Sequence, residues 1–411
     1  MSALFHPYLC GRKAAEWLIN MQRLCAHEFC TGCSACANAC PKGCIRMEVD
    51  EEGFLYPQID EAACISCNRC NAVCPVLAYS QDVLSGGPKA YAAHNRDEAV
   101  VCSSSSGGVF TALARNVLEK GGVVYGAAFQ KDFSVAHCRV ESIDELHVFQ
   151  GSKYAQSNIR LSYQQVREDL KAGRKVLFSG TPCQVVALRS FLVRNYEDLL
   201  CVDIICHSVP SPYAWQAYLR QMEKESGGKV EYASFRDKRD GWQHYYLCTR
   251  LSDGTEMLRG GGENYYMKAF IQGLSTRPSC YNCKFKGQNR GSDITLGDFW
   301  GVEKACPEAF YKKGTSLVLI QSEKGQAAFD ETASHLELLQ VDSEAALQGN
   351  PAYYFAFQPH RNREIFFRQL GQEPLEDIVG RLLASTKKGI WKQRWSRSLI
   401  WRRIRKIRRI L

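Results

Sequence analysis

The sequence predicts two structural units in succession: a small α+β unit near the N-terminus, and a larger α/β unit with a mainly parallel or mixed sheet that ends in a helical C-terminal region. Two observations support this prediction. Two cysteine runs follow each other between residues 30 and 75. From residue 89 onward, strand-like and helix-like segments alternate, which is the pattern of α/β folds. The length of 411 residues allows roughly two to three domains.

Both cysteine runs have the spacing C-x2-C-x2-C-x3-C-P, which is typical of bacterial ferredoxins with two [4Fe-4S] clusters. Thiolates at every third residue can surround a cubane with three sulfurs, and the fourth ligand comes from the other run. We therefore predict a dicluster ferredoxin-like domain over residues 30–80. A pair of zinc sites is the alternative, but zinc requires neither the third cysteine at this spacing nor the trailing proline. The predicted ligands are Cys30, Cys33, Cys36 and Cys74 for one cluster, and Cys64, Cys67, Cys70 and Cys40 for the other.

Composition indicates where such a protein resides. The chain has 20 cysteines and 45% hydrophobic residues, so it can form a sizeable core. The lead-in, residues 1–29, contains one probable helix near residues 14–24 and lacks a hydrophobic signal core. A reducing cytoplasm, in which thiolates remain available for iron, is therefore expected. No apolar run approaches the roughly 18 residues of a spanning helix, which predicts a soluble or peripheral protein.

The net charge of +9 is concentrated at the C-terminus. The last 25 residues contain eleven Lys and Arg and no acidic residue, so the body of the protein is nearly neutral. Ile400, Ile404 and Ile407 fall on one helical stripe among these cations, and tryptophans flank it. This pattern predicts that residues 386–411 form a basic amphipathic tail that attaches to an anionic membrane surface on the inner face of the cell membrane. A disordered basic end or another polyanionic partner remains an alternative; nucleic acid is not the expected partner.

The larger unit begins after a Ser-, Gly- and Pro-rich stretch near residues 80–88 and is divided into residues 89–165 and 166–330. The segment AYAAHN reads as a strand, SSSSGGVFTALARNVLEKGG as a serine-capped helix, and VVYGAAF as a second strand. A second such βαβ unit runs from RKVLFS to LLCVDIIC. Ligands bind beyond the carboxyl ends of parallel strands, and the stretch from Ser103 to Gly108 at a helix start favours an anion such as phosphate. A plain serine cap is the alternative reading. Residues 331–385 are predicted to be helical.

Four further cysteines suggest a third metal centre. Cys183 and Cys206 each follow a predicted strand, and neighbouring parallel strands would bring both thiols to one side of the sheet. Cys280 and Cys283 supply two more thiolates on one loop, which completes a set of four for a third [4Fe-4S] cluster. Zinc, a redox-active Cys183 and unrelated buried cysteines are the alternatives. Cys10, Cys25 and Cys44 are predicted to be structural. The charged segment 236–242 is predicted to be a solvated loop, with a surface that faces an anionic substrate or cofactor as the alternative.

Several of these segments together resemble one known family. The dicluster run, SSSSGGVF, GSKYAQSN, SGTPCQVVALRSFL, DIICHSVPSP, CYNCKF and SDITLGDFWG are similar, in that order, to motifs of the family of coenzyme F420 hydrogenase/dehydrogenase beta subunits. The resemblance covers roughly residues 30–305. It implies that the α/β unit is a flavin-binding domain that binds FAD, and it matches Cys183, Cys206, Cys280 and Cys283 to the family's cysteines. The positions implied around the flavin are Ser105, Ser106, Gly107, Gly108, Lys153, Tyr154, Gly180 and Thr181.

The expected function is an electron relay. Ferredoxin or another one-electron redox protein would supply electrons to the [4Fe-4S] clusters, and the flavin would exchange hydride with an unidentified organic substrate or a deazaflavin. The alternatives are a non-catalytic electron-transfer beta subunit of a larger complex, for example in surface-polysaccharide biosynthesis, and an iron–sulfur scaffold that binds through its tail. No catalytic side chain is assigned from the sequence.

Overall fold

A computed structural model describes residues 24–78, 87–288 and 290–384. The predicted lead-in helix and the predicted basic tail therefore lie outside the described residues. The N-terminal unit contains a two-stranded antiparallel sheet and three short helices. Its elements are α1 (Ala35–Ala39), β1 (Ile45–Val49), β2 (Leu55–Ile59), α2 (Arg69–Ala72) and α3 (Pro75–Ala78).

The larger unit is organised around an eight-stranded mixed sheet. Its strands are β3 (Lys89–Asn95), β4 (Val123–Phe129), β5 (Val135–Val140), β6 (Val176–Gly180), β7 (Leu199–Ile204), β11 (Ile294–Asp298), β12 (Ser316–Ile320) and β13 (Leu336–Val341). A separate antiparallel sheet contains β8 (Val230–Asp237), β9 (Tyr246–Leu251) and β10 (Glu256–Gly260). Helices connect and cover these strands: α4 (Glu98–Ser103), α5 (Val109–Glu119), α6 (Ser162–Lys171), α7 (Pro182–Leu192), α8 (Pro212–Ser226), α9 (Tyr265–Ile271), α10 (Val302–Ala305), α11 (Glu323–Asp330), α12 (Ser343–Leu347), α13 (Arg363–Gln369) and α14 (Leu375–Ala384).

The strand order of the large sheet is β13-β3-β12-β11-β7-β6-β4-β5. The four central strands β11, β7, β6 and β4 are parallel, and the flanking pairs are antiparallel. The mixed sheet predicted from the sequence is confirmed. The unit β6–α7–β7 joins neighbouring parallel strands as predicted, whereas β3 and β4 are separated by four strands. Hydrophobic patterning identifies strands but does not specify which distant strand becomes a neighbour.

Two local predictions were wrong. The segment 331–385 is not purely helical, because β13 lies within it and pairs with β3 at the edge of the sheet. The helix after the serine run is not capped by a serine. It begins at Val109, and its N-cap residue is Gly108, which has a left-handed φ of 79°. The N-cap therefore makes no side-chain hydrogen bond to the helix. Ser103 instead ends the preceding helix α4, so Ser104 to Gly107 form a loop between two helices.

Hydrophobic packing divides the larger unit into layers. On one side of the large sheet, α5 packs against Val124, Leu177 and Val202, and on the other side α6 and α7 pack against Tyr125 and Phe178. A further core joins α8, α9 and α14 to the three-stranded sheet around Trp215. None of the helices in the described residues combines the length and the hydropathy of a membrane-spanning segment.

Candidate functional site

The predicted cysteine sets line three separate cavities. Cys30, Cys33, Cys36 and Cys74 surround the first, which we call the proximal cavity. Cys40, Cys64, Cys67 and Cys70 surround the second, the distal cavity. Cys183, Cys206, Cys280 and Cys283 surround the third. Each cavity therefore groups the four cysteines that the sequence assigned to one centre. Within the described part of the chain, no three Cys, His, Asp or Glu side chains converge as they would around a single metal ion.

Local backbone geometry presents the cysteines of the N-terminal unit. Gly32 (φ 65°) and Ser34 (φ 62°) in the first run, and Ser66 (φ 51°) and Asn68 (φ 59°) in the second, have left-handed backbone conformations. Such residues turn the chain sharply between successive cysteines, so that the sulfurs point to one side. Gly32 also lies in a crowded position, because an added Cβ would stand 2.7 Å from the carbonyl oxygen of Leu55.

Two cysteines that we predicted to be structural lie at these cavities. Cys25 lines the proximal cavity and is hydrogen-bonded to Cys30 and Cys74. Cys44 lines the distal cavity, with its Sγ 3.3 Å from the Sγ of Cys40. The distal cavity is the more accessible of the two, since Cys67 is exposed and Ile65 beside it is 56% exposed. Spacing alone gave no reason to place either additional thiol next to a centre.

The third cysteine set comes from separate parts of the chain. Cys183 lies in the first turn of α7, Cys206 follows β7, and Cys280 and Cys283 belong to the loop that begins at Pro278. Burial, followed by the proximity of Cys206 and Cys283, raises the pKa of Cys280 to about 12. Burial likewise raises the pKa of Cys206 to about 11. Buried thiols of this kind, whose ionisation burial disfavours, suit a site whose bound group supplies positive iron centres.

Polar groups lie within hydrogen-bond distance of two of these sulfurs. The backbone N–H of Val209 donates to Sγ of Cys280 at 3.4 Å, and Oγ1 of Thr181 lies 3.1 Å from Sγ of Cys183. Hydrogen bonds to ligating sulfurs are a known feature of iron–sulfur sites. The residues of the third set therefore fit a [4Fe-4S] cluster in number, type and surroundings.

A fourth and larger cavity lies at the carboxyl ends of the parallel strands. Its cavity volume is about 330 Å³, which lies at the lower end of the usual range of small-ligand pockets, about 300–1,000 Å³. The N-termini of α5 and α7 both border it, at Gly108 and Thr181. Helix N-termini favour anions such as phosphates. At the α7 end the N–H of Thr181 already donates to Oε1 of Gln184 at 3.0 Å, so the Gly108 end of α5, which has no side-chain cap, is the one that suits a phosphate-bearing cofactor.

The structure places most of the predicted flavin residues on this large cavity. Seven of them line it, namely Ser105, Ser106, Gly108, Lys153, Tyr154, Gly180 and Thr181. Gly107 has a different role, because it is buried against the sheet, where an added Cβ would meet the carbonyl oxygen of Ala93 and stand 2.9 Å from the nitrogen of Ser316. Gly107 is therefore required for packing of the loop.

Two half-buried lysines support the walls of the large cavity. Nζ of Lys153 donates to the carbonyl oxygens of Val148 and Gln150 at 2.9 and 2.8 Å. These hydrogen bonds stabilise the loop to which Lys153 itself belongs. Burial lowers the pKa of Lys153 to about 7. Nζ of Lys238 donates to the carbonyl oxygens of Val101 and Ser106 at 2.7 and 2.8 Å, and so fixes the serine loop from behind. Lys238 lies in a segment for which the sequence offered no specific role.

The charged segment 236–242 is a solvated loop only in its middle: Arg239 and Asp240 form an exposed turn, whereas both ends are buried, so the prediction was wrong for the ends. Arg236 lies in β8 and is only 5% exposed, and Trp242 is fully buried. Arg236 donates to Oδ2 of Asp298 at 2.8 Å, and Nε1 of Trp242 donates to Oδ1 of the same carboxylate at 2.9 Å. Asp298 lines the large cavity, so this buried network supports one wall of it. A long-range partner buried these charges, and sequence pattern does not reveal such partners.

The proximal cavity, the third cavity and the large cavity share lining residues. Thr31 lines the proximal cavity, the third cavity and the large cavity. Cys183 and Val209 line both the third cavity and the large one. The third cysteine set therefore lies between the N-terminal unit and the large cavity. These geometric features are those of an iron–sulfur protein with a ligand-sized cavity next to its innermost cysteines.

Comparison with protein families identifies the chain more closely. It belongs to the family of coenzyme F420 hydrogenase/dehydrogenase beta subunits: the N-terminal family model matches residues 90–161 and the C-terminal model matches residues 173–344. A 4Fe-4S dicluster domain matches residues 29–78, so the N-terminal unit is an iron–sulfur domain. The resemblance stated from the sequence is confirmed.

Individual relatives are similar to parts of the chain. One subunit of the F(420)H(2) dehydrogenase of Methanosarcina mazei is 24% identical over 193 residues, which are 44% of this chain and 54% of the relative. The chain thus spans about half the length of that relative. A 7Fe ferredoxin of Hydrogenibacillus schlegelii is 37% identical over 73 residues, which are 17% of this chain and 87% of the ferredoxin. A chain of the F420-reducing [NiFe] hydrogenase complex of Methanosarcina barkeri aligns with a TM-score of 0.44 and 16% identity, covering 75% of this chain and 94% of that one.

Proposed function

We propose that this protein is an iron–sulfur flavoprotein oxidoreductase. In this proposal it receives single electrons from ferredoxin or another one-electron redox protein and exchanges hydride with an organic substrate at a bound FAD. The observation that carries the proposal is the position of Cys183, which lines both the third cysteine cavity and the large cavity. A thiolate in that position would hold an iron–sulfur centre directly beside the cofactor.

The cysteine residues would hold three [4Fe-4S] clusters, one in each cysteine-lined cavity. The distal set is the natural entry point for electrons, because Cys67 is exposed and a redox partner can approach it. From there electrons would pass to the proximal set, then to the third set and the large cavity; Thr31 lines these last three cavities, so they adjoin one another. The protein contributes the spacing of these sites, their burial and the hydrogen bonds to their sulfurs.

The large cavity would hold the FAD. The Gly108 end of α5 offers backbone N–H groups to its phosphates, while Lys238 holds the serine loop in place. A bound flavin accepts electrons one at a time and transfers them in pairs as hydride, which links one-electron clusters to organic substrates. The name of the Methanosarcina mazei relative contains F420H2, so a deazaflavin is the first hydride partner to test, and such relatives imply partner subunits.

The decisive experiment combines cofactor analysis with reduction kinetics. Anaerobically purified protein should contain about twelve irons, four for each of three clusters, and one FAD. The variant Cys280→Ser/Cys283→Ser should lose about four of these irons, and reduced ferredoxin should then reduce its flavin much more slowly. Cys201→Ala is the matched control, because Cys201 is a buried cysteine of β7 that belongs to none of the three sets.

Two outcomes would contradict the proposal. One is about eight irons both in the wild type and in Cys280→Ser/Cys283→Ser, which leaves only the N-terminal clusters. The other is reconstituted protein that neither contains nor takes up flavin. Turnover of a deazaflavin by the isolated chain with reduced ferredoxin then distinguishes an enzyme from an electron-transfer subunit that depends on a partner's substrate site.

A further inference from the structure

Arg277 is a buried cation between two of the proposed clusters. It is only 1% exposed. Its Nε donates to the carbonyl oxygen of Cys30 at 2.8 Å, and Nη2 donates to the carbonyl oxygen of Leu55 at 3.0 Å. Nη1 donates to Oε1 of Gln156 at 3.3 Å. The same residue lines the cavity of the third cysteine set, so its guanidinium lies between the N-terminal unit and the third site.

The hydrogen bonds of Arg277 do not neutralise its charge. The three acceptors named above are neutral, and in the described residues no carboxylate forms an ion pair with its guanidinium. The ring of Tyr56 lies 4.1 Å from its Cζ and contributes a weaker cation–π interaction. Burying an arginine without an anionic partner costs several kcal/mol. The folded protein should therefore supply an anion that is not one of its carboxylates.

Lys286 is a second cation of this kind. Its Nζ donates to the carbonyl oxygens of Cys206 and Ala352 at 2.7 and 2.8 Å, and no carboxylate in the described residues pairs with it. Arg290 lies on the same cavity but differs, because it forms a buried ion pair with Asp203 at 3.0 Å. Lys286 is near Cys206 of the third set, whereas Arg277 contacts the backbone of Cys30 in the proximal set.

The third cavity as a whole is cationic. The charged residues among its described lining are Arg277, Lys284, Lys286 and Arg290, and no Asp or Glu is among them. The distal cavity, in contrast, is lined by Lys42 and Glu61, one charge of each sign. A [4Fe-4S] cluster with four thiolate ligands is an anion, and its charge becomes more negative by one on reduction. Net charge near a cluster is one of the factors that set its reduction potential.

We propose that Arg277 is a charge-compensating residue shared by the proximal and third iron–sulfur sites, and that Lys286 compensates the third site alone. The inference rests on the proposed function, because it requires a cluster at the third cysteine set. Both cations stabilise the reduced state of the clusters that they face and raise their potentials. The third site, which faces both, is therefore the preferred position of an electron that enters at the distal site.

The redox balance is that of a one-electron transfer. The proximal cluster is oxidised by one electron, the third cluster is reduced by one, and no bond is formed or broken. Arg277 lies close to both sites, so it stabilises the electron before and after the transfer. Lys286 stabilises it only afterwards, and so favours the inward direction.

The test is a redox titration of the anaerobic holoprotein followed by electron paramagnetic resonance. Cys67→Ser and Cys283→Ser variants assign the distal and third signals. Arg277→Gln should lower the potentials of both the proximal and third centres, and Lys286→Gln only that of the third. We expect the ratio of reduced to oxidised cluster at a given potential to fall at least tenfold. A tenfold change in this ratio corresponds to about 59 mV for one electron.

The distal centre is the internal reference, and Arg277→Lys should largely restore the potentials because it keeps the charge. Arg381→Gln, which removes an exposed cation on α14, controls for the loss of one positive charge elsewhere. Unchanged potentials in both Arg277→Gln and Lys286→Gln would overturn the inference, as would an equal shift at all three centres. If Arg277→Gln does not fold, Arg277→Met, which removes the charge but keeps a long side chain, takes its place in the same titration. Absence of the third signal from the wild type would instead contradict the proposed function.

Discussion

Arg363 donates from Nη1 to Oε1 of Glu52 at 2.7 Å, across 311 positions of the sequence. This ion pair joins helix α13 near the C-terminus to the turn between β1 and β2. In that turn, Gly53 has a φ of 87°, and an added Cβ would stand 2.5 Å from Cβ of Tyr213. The iron–sulfur domain is thus closely packed against the larger unit at this turn.

Replacement of Gly53 should therefore weaken the docking of the iron–sulfur domain. Gly53→Ala combines a left-handed alanine, which costs about 1–2 kcal/mol, with a steric conflict worth about 1–3 kcal/mol more. Gly43→Ala is the matched control, because Gly43 has a φ of 61° and no neighbouring atom within 4 Å of the added Cβ. Gly53→Ala should lower the thermal midpoint more than Gly43→Ala and increase hydrogen exchange in the turn. Equal effects of the two variants would show that the close approach to Tyr213 does not contribute to stability.

The flavin site can be tested with a second pair of glycines. Gly151 lines the large cavity, has a φ of 76°, and has open space around an added Cβ. Gly151→Asp would place a carboxylate where the phosphates or the ring system of FAD should lie, and we expect at least a tenfold loss of flavin affinity, which is about 1.4 kcal/mol. Gly173→Asp is the matched control. Gly173 lies after α6, has a φ of 73°, and also has open space around an added Cβ, so the backbone cost of the substitution is the same. Flavin content and fluorescence titration measure the effect. Retention of flavin by Gly151→Asp would exclude this wall as part of the flavin site.

The extra thiols at the N-terminal clusters allow a test of ligand identity. Cys40 and Cys44 both line the distal cavity and their sulfurs are 3.3 Å apart. The spacing assigns Cys40 as the ligand, so Cys40→Ala should lose the distal cluster, about four irons, whereas Cys44→Ala should retain them. Iron and sulfide analysis under anaerobic conditions measures both. The reverse result would assign the ligand to Cys44 and move the end of the motif by four residues.

Acid sensitivity should depend on His137. This buried side chain lies 2.7 Å from Oγ of Ser157 and 2.9 Å from the carbonyl oxygen of Ser179. Burial lowers its pKa from 6.5 to about 4. The unfolded chain therefore takes up the proton first as the pH falls, and stability is lost between about pH 6.5 and 4. Between pH 7 and pH 5, His137 should lower the free energy of unfolding by roughly 2 kcal/mol.

The measurement is the thermal midpoint of the anaerobic holoprotein at pH 7 and pH 5, followed by far-ultraviolet circular dichroism. His137→Gln should lower the midpoint at pH 7 but show a smaller further decrease at pH 5 than the wild type. His335→Gln, at an exposed position, should retain the wild-type pH dependence. If His137→Gln and the wild type lose the same amount between the two pH values, His137 is not the group responsible.

The sequence by itself determined the twelve predicted cysteine ligands, their division into three sets, the mixed α/β sheet and the family. These features are local: motif spacing, strand patterning and a cysteine after a strand end depend on residues close together in the chain. The tertiary structure alone decided the strand order, the packing role of Gly107, and the burial of Arg236 beside Asp298 and of Arg277 beside Cys30. In each case the partner lies far away in the sequence, so its effect on charge, burial or close approach exists only after the chain has folded.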